Sequence, residues 1–296
     1  VTLTFFQVVV LSLLQGVAEL FPVSSLGHTV IAPALLGWNI DQKSDAFLPF
    51  VTTLHLGTGI ALVVYFWQDW VRIVTPMVGS VRRGQLSGDP EERLGWLLVA
   101  GTIPAAIVGV FFEKSIKNLF ANPKVAAGFL IANGFILFFG ERLRLRAQSG
   151  APGGGATLSA DPPEGDRAAV SLRWGEAVAV GAAQALALLP GISRSGVTMV
   201  AGLGVGLSHE TAARYTFLLA TPIILAAALV EVPTLFDPAN SSLLGDAVFG
   251  GILSGVAAFA SVRFLMRYFA TNRLTPFAYY CWAAGTLSLL VLTIRG

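Results

Sequence analysis

The chain has 296 residues, of which 54% are hydrophobic and 12% charged, and its mean hydropathy is +0.71. Those values exclude an ordinary soluble domain and indicate an integral membrane protein. The formal charge of +2 arises from basic residues scattered through short loops, a pattern that argues against a nucleic-acid partner.

In chain order, the first apolar pieces run over 5–20 and 23–37. Each is too short to cross a bilayer, which takes roughly 20 helical residues. The break between them holds Pro and Gly, so 5–37 is predicted as a re-entrant helical hairpin. The segment Val1 to Ala18 lacks a basic n-region and a small-residue cleavage site, and is read as part of the fold. Spans are expected near 47–67, 94–112 and 124–140. A stretch rich in Gly, Pro, Ala and Ser follows, "RAQSGAPGGGATLSADPPEGDR", and places a flexible linker over 146–172. A second interrupted hairpin is predicted over 174–208, then spans near 211–230, 246–268 and 276–294.

The two halves, 1–145 and 173–296, share a plan and some spacing. Gln15 is followed by Ser24 and Gly27 at offsets of nine and twelve residues, and Gln184 by Ser193 and Gly196 at the same offsets. Three spans follow each hairpin, an odd number, so the halves are expected to have opposite orientation and the hairpin tips to meet near the midplane. The predicted fold class is therefore an all-α integral membrane protein built of inverted repeats, each a re-entrant hairpin plus three transmembrane helices. Loops 69–93, 141–173 and 263–273 carry four, five and three Arg, whereas 231–246 has no Lys or Arg and holds Glu231, Asp237 and Asp246. The positive-inside rule makes the first three cytoplasmic and the last external, although Lys114, Lys117 and Lys124 fall against that assignment.

Several polar residues lie where apolar ones would be cheaper. In "LLQGVAELFPVSSLGHTV", Gln15 and Glu19 are four apart and share a helical face. Pro22 then ends the helix, and Ser24, Ser25 and His28 follow. One serine caps the next helix while its neighbour is available for chemistry. In "ALLPGISRSGVTM", Arg194 is a guanidinium at membrane depth, flanked by Ser193, Ser195 and Thr198. Amides, hydroxyls and a guanidinium converging on one point suit a phosphate. Glu19 could pair with Arg194 or bind a divalent cation with Gln15. His55, inside a predicted span, reads equally as a packing residue or a site member, and His209 reads as solvated. The lone cysteine, Cys281, excludes an intramolecular disulfide.

The motifs "QGVAE", "PVSSLGH", "PGISRSGVT" and "FLLATP" together resemble the undecaprenyl-pyrophosphate phosphatase family of bacterial inner-membrane proteins, the bacitracin-resistance type. The resemblance covers nearly the whole chain. It implies hydrolysis of a prenyl pyrophosphate lipid, undecaprenyl pyrophosphate, to the monophosphate that carries cell-wall precursors, with Mg²⁺ or Ca²⁺ as cofactor. It also implies a multi-pass protein of the bacterial cytoplasmic membrane with its site facing the periplasm or exterior. By motif, Glu19 would bind metal, with Gln15 at a position the family fills with Glu or Gln. Ser25 would be nucleophile or positioner, His28 the general acid/base with Ser24 beside it, and Arg194 would hold pyrophosphate with Ser193, Ser195 and Thr198. Membrane lipids and a homodimer are the other expected partners. The rival reading is a transporter or flippase of an anionic lipid, since inverted repeats also build carriers. The membrane lipid phosphatases that carry Ser-Arg, five residues and His do not match, because Val200 stands at that histidine's place.

Overall fold

The computed structural model describes residues 3–42, 44, 46–120, 122–149, 168–237 and 240–295, without the side chains of 112–120, 147–149 and 241. Residues 150–167, most of the predicted linker, lie outside the described residues. Among the described residues the chain is helical and has no strand.

The first hairpin consists of α1 (Phe5–Ala18) and α2 (Ser25–Leu36). The longer of the two has 14 residues, about 21 Å at 1.5 Å per residue, too short for a hydrocarbon core of about 30 Å. Helices α3 (Phe47–Tyr65), α4 (Trp67–Arg83), α5 (Pro90–Phe120) and α6 (Pro123–Ser149) complete the first half. The second half holds α7 (Trp174–Ala183), a short 3₁₀ turn over Gln184–Leu188, α8 (Arg194–Gly204), α9 (His209–Glu231), α10 (Leu244–Phe269) and α11 (Thr275–Ile294). Six helices among the described residues, α3, α5, α6, α9, α10 and α11, are long and apolar enough to cross a membrane by length and composition.

The halves interlock rather than stand side by side. Helix α1 packs on α10 and α7 on α5, so each hairpin leans on a span of the other half, while α3 pairs with α10 and α6 with α11. Small residues allow the closest of these approaches. A Cβ added to Gly57 of α3 would lie 1.9 Å from the Gly251 carbonyl oxygen of α10. The Gly251 and Gly255 pair thus serves packing within one chain.

Two features depart from expectation at the side of the Arg-rich loops. Segment 69–93, read as a loop, contains α4, whose Trp67, Val71, Val74, Val78 and Val81 are exposed. Their spacing of three and four residues makes one apolar stripe, the pattern of a helix lying in a bilayer interface. His209 is not solvated. Its Nε2 lies 2.7 Å from Glu141 Oε2 and its Nδ1 2.6 Å from Arg144 Nη1, because α9 starts against α6. Ser208 does cap α9, accepting from Thr211 N at 3.1 Å.

Candidate active site

Both hairpins break at a proline and restart with a serine cap. After α1, Leu20 to Val23 turn the chain, and Ser24 takes φ 70°, the only non-glycine residue with positive φ among those described. Its Oγ accepts from Gly27 N at 3.2 Å as the cap of α2. After Pro190, Gly191 has φ 108°, and Ser193 Oγ accepts from Gly196 N at 3.1 Å as the cap of α8. Helices α2 and α8 therefore both begin at the tips, where their positive ends favour an anion.

The tips touch. Ser24 Oγ also accepts from Gly191 N at 3.1 Å, and Ser195 Oγ donates to the Phe21 carbonyl at 3.1 Å. Asn133 of α6 joins them from the side, donating to the Pro22 carbonyl at 3.0 Å and accepting from Ser193 N at 3.0 Å. It also lies 3.3 Å from the buried Cys281 sulfur.

Glu19 is the hub of the polar cluster. Its Oε1 accepts from Arg194 Nη2. Its Oε2 accepts from Ser25 Oγ at 2.5 Å and Gln15 Nε2 at 3.0 Å, and lies 3.2 Å from His55 Nε2. The residue is 8% exposed, so a carboxylate here depends on these partners. The structure brings together Glu19, Gln15, Ser24, Ser25, Ser193 and Arg194. All but Gln15 line a cavity of about 330 Å³. Its other walls are largely apolar, drawn from α3, α5 and α9, including Leu48, Val51, Ala105, Ile223 and Ala227.

Besides Gln15, three expected site residues lie outside the cavity lining. His28 points to the other side of the tip, with Nδ1 2.6 Å from the Ser24 carbonyl and Nε2 2.8 Å from the Tyr280 hydroxyl. Ser195 is spent on Phe21, and the buried Thr198 hydroxyl has no hydrogen-bond partner. Conversely, sequence reasoning left His55 undecided and did not single out Asn133 or Tyr280. Polar residues within apolar spans were the available signal for His55 and Asn133. Gln184, noticed only for its spacing, lines the cavity at 3% exposure with its Nε2 unpartnered.

A family model described as "Bacitracin resistance protein BacA" matches residues 8–287. The chain belongs to this family. Members similar to it include an undecaprenyl-diphosphatase of Mycolicibacterium paratuberculosis, 48% identical with 99% of both chains covered. An undecaprenyl-diphosphatase 2 of Frankia alni is 43% identical over 96% of this chain and 97% of the relative. An undecaprenyl-diphosphatase of Acidiphilium cryptum is 45% identical over 96% of each. Three of the motifs that carry the BacA resemblance, QGVAE, PVSSLGH and PGISRSGVT, form the two tips, and the fourth, FLLATP, lies within α9.

Proposed function

We propose that the protein hydrolyses undecaprenyl pyrophosphate to undecaprenyl phosphate and inorganic phosphate. This recycles the lipid carrier for cell-wall synthesis and confers the bacitracin resistance in the family's name. One observation carries the reading: Glu19, Ser25 and Arg194 meet at the polar part of a cavity whose remaining walls are apolar. A lipid with a phosphorylated head and a prenyl tail matches both surfaces, whereas a water-soluble nucleotide has no use for the second.

Phosphoryl transfer needs cationic donors on the phosphoryl oxygens and a positioned nucleophile. Arg194 supplies a fork of donors, joined by the Gln184 amide and the N-terminal ends of α2 and α8. Ser25 Oγ, hydrogen-bonded to Glu19 at 2.5 Å, is the hydroxyl best placed either to attack the terminal phosphorus or to orient a water that does. Glu19 receives the nucleophile's proton, the bridging P–O bond breaks, and the prenyl monophosphate leaves; a water nucleophile gives inorganic phosphate directly, whereas attack by Ser25 leaves a phosphoserine whose Oγ–P bond a second water cleaves, releasing inorganic phosphate and restoring the hydroxyl. In the arrangement seen, His28 braces the strained Ser24 through its carbonyl; direct proton transfer by His28 would require it to leave Tyr280. Ser193, Ser195 and Thr198 support the phosphate site by shaping the start of α8.

A divalent cation, Mg²⁺ or Ca²⁺, fits the donor set. Glu19 offers a carboxylate, and the buried Gln15 Oε1 has no hydrogen-bond partner, so these two would hold the ion with substrate oxygens completing its shell. Bound there, the ion would neutralise pyrophosphate charge.

The interlocked packing of α1 on α10 and α7 on α5 supports two halves, 1–145 and 173–296, of opposite orientation. The cavity lining reaches Glu231 at the end of α9, where the acidic loop 231–246 begins. This favours a site open to the periplasmic or outer face of the cytoplasmic membrane. The test is phosphate release from undecaprenyl pyrophosphate by detergent-purified protein with Mg²⁺ or chelator, for wild type, Glu19→Ala and Arg194→Ala. Metal-dependent release lost in both variants is expected. Folded wild type that releases none under any metal condition would overturn the enzyme reading in favour of a lipid carrier.

A further inference from the structure

Ser24 stands immediately before Ser25 and has φ 70° and ψ 98°. That backbone is strained for a residue with a Cβ, and it persists only where the surroundings over-determine it. Ser24 is held through both its side chain and its carbonyl. Its Oγ accepts from Gly27 N at 3.2 Å and Gly191 N at 3.1 Å. Its carbonyl oxygen faces the His28 amide nitrogen at 3.2 Å and the His28 ring Nδ1 at 2.6 Å.

A carbonyl only accepts, so Nδ1 carries a proton. On the far side of the ring, Nε2 lies 2.8 Å from the Tyr280 hydroxyl. The two rings also stack, with centroids 5.7 Å apart and planes 16° from parallel. Tyr280 belongs to α11, in the other half of the chain, and is 46% exposed. Neither ring lines the cavity that holds Glu19, Ser25 and Arg194. A chain of contacts therefore runs from Tyr280 through His28 to the peptide that joins Ser24 to Ser25.

We propose that Tyr280 is a positioning residue for phosphoryl transfer, acting through His28 on the Ser24 carbonyl. This deepens the hydrolase reading and rests on Ser25 as the hydroxyl that attacks or orients water. Rotation of the Ser24–Ser25 peptide toward a relaxed backbone would swing Ser25 Oγ off Glu19, to which it is bonded at 2.5 Å. The His28 ring opposes that rotation. Histidine χ2 is soft, and the Tyr280 hydroxyl is the second anchor that keeps Nδ1 turned to the carbonyl. His28 thus acts on the backbone rather than on the substrate.

The experiment measures steady-state phosphate release from undecaprenyl pyrophosphate by the full-length, detergent-purified protein. Tyr280→Phe keeps the stacked ring and loses the hydroxyl. Its kcat falls roughly three- to tenfold, the worth of one hydrogen bond, and its KM stays at the wild-type value because no substrate contact is lost. Two further variants separate positioning from proton transfer. His28→Asn puts an amide nitrogen where Nδ1 stands, and His28→Gln puts one where Nε2 stands. His28→Asn keeps kcat within about tenfold of wild type, whereas His28→Gln loses roughly a hundredfold. A ring that carried a proton to substrate would lose activity equally in both.

A second readout needs no turnover. In protein labelled with ¹⁵N-histidine, Tyr280→Phe moves the His28 Nε2 resonance. Wild-type kcat in Tyr280→Phe, or equal losses in His28→Asn and His28→Gln, overturns the proposal. So does an Nε2 resonance that Tyr280→Phe leaves unmoved. Wild type that releases no phosphate overturns the hydrolase reading, and the resonance alone then decides whether Tyr280 holds His28.

Discussion

Contact between the two tips at Gly27 can be tested by adding one methyl group. A Cβ at Gly27 would lie 2.8 Å from Gly191 Cα, 3.1 Å from Gly191 N and 3.2 Å from Ser24 Oγ. The first two are backbone atoms and cannot swing aside. Ordinary contact begins at 3.4 Å, so Gly27→Ala must open the tips by 0.6 Å, the difference between 3.4 and 2.8 Å. That movement lengthens the Gly191 N to Ser24 Oγ bond and draws Arg194 away from Ser25. A misplacement of about 1 Å costs on the order of a hundredfold in rate, so phosphate release should fall by roughly tenfold or more. The control is Gly128→Ala in α6, where the new Cβ meets nothing within 4 Å. There the better helix propensity of Ala should stabilise by about 0.8–1 kcal/mol and leave activity alone. Both variants would be assayed for phosphate release and for thermal unfolding in detergent. Wild-type rates in Gly27→Ala would refute the geometry of two tips in contact.

Asn133→Leu strips partners from the Pro22 carbonyl and the Ser193 amide, and at about 1–3 kcal/mol for each buried group its unfolding midpoint should drop clearly below that of wild type. Gln184→Leu removes the unpartnered cavity donor without disturbing any bond it makes through Nε2. Steady-state phosphate release should show a raised KM or lowered kcat, while unchanged values of both would exclude a substrate contact. His209→Leu takes the Nε2 donor from buried Glu141, at about 1–3 kcal/mol. Lower thermal stability with KM unaltered is expected, and a changed KM would tie that cluster to the site.

Much of this protein is legible without tertiary structure, because the bilayer imposes local rules. Runs of apolar residues as long as a membrane is thick can be recognised whatever they pack against, and six helices among the described residues are long and apolar enough to cross one. Pro22 and Pro190 mark helix breaks where proline's missing amide proton costs no helical bond, although Pro33, Pro76, Pro104 and Pro222 are carried inside helices. Glu19, Ser25 and Arg194 stand out since a polar group in an apolar setting needs a compensating partner. That Glu19 and Arg194 are one another's partners was an available pairing. What sequence could not supply is direction. His28 is near Glu19 in the chain yet turns to Tyr280, while His55, on another helix, reaches the carboxylate. Asn133 gains its role only when α6 lies against both tips, and α4 becomes a helix with an exposed apolar stripe where loop charges had suggested none. Hydropathy and backbone chemistry act over a few residues and can be read along the chain. The azimuth at which each helix meets its neighbours is set by packing between distant segments, and it decides which polar side chains share a cavity.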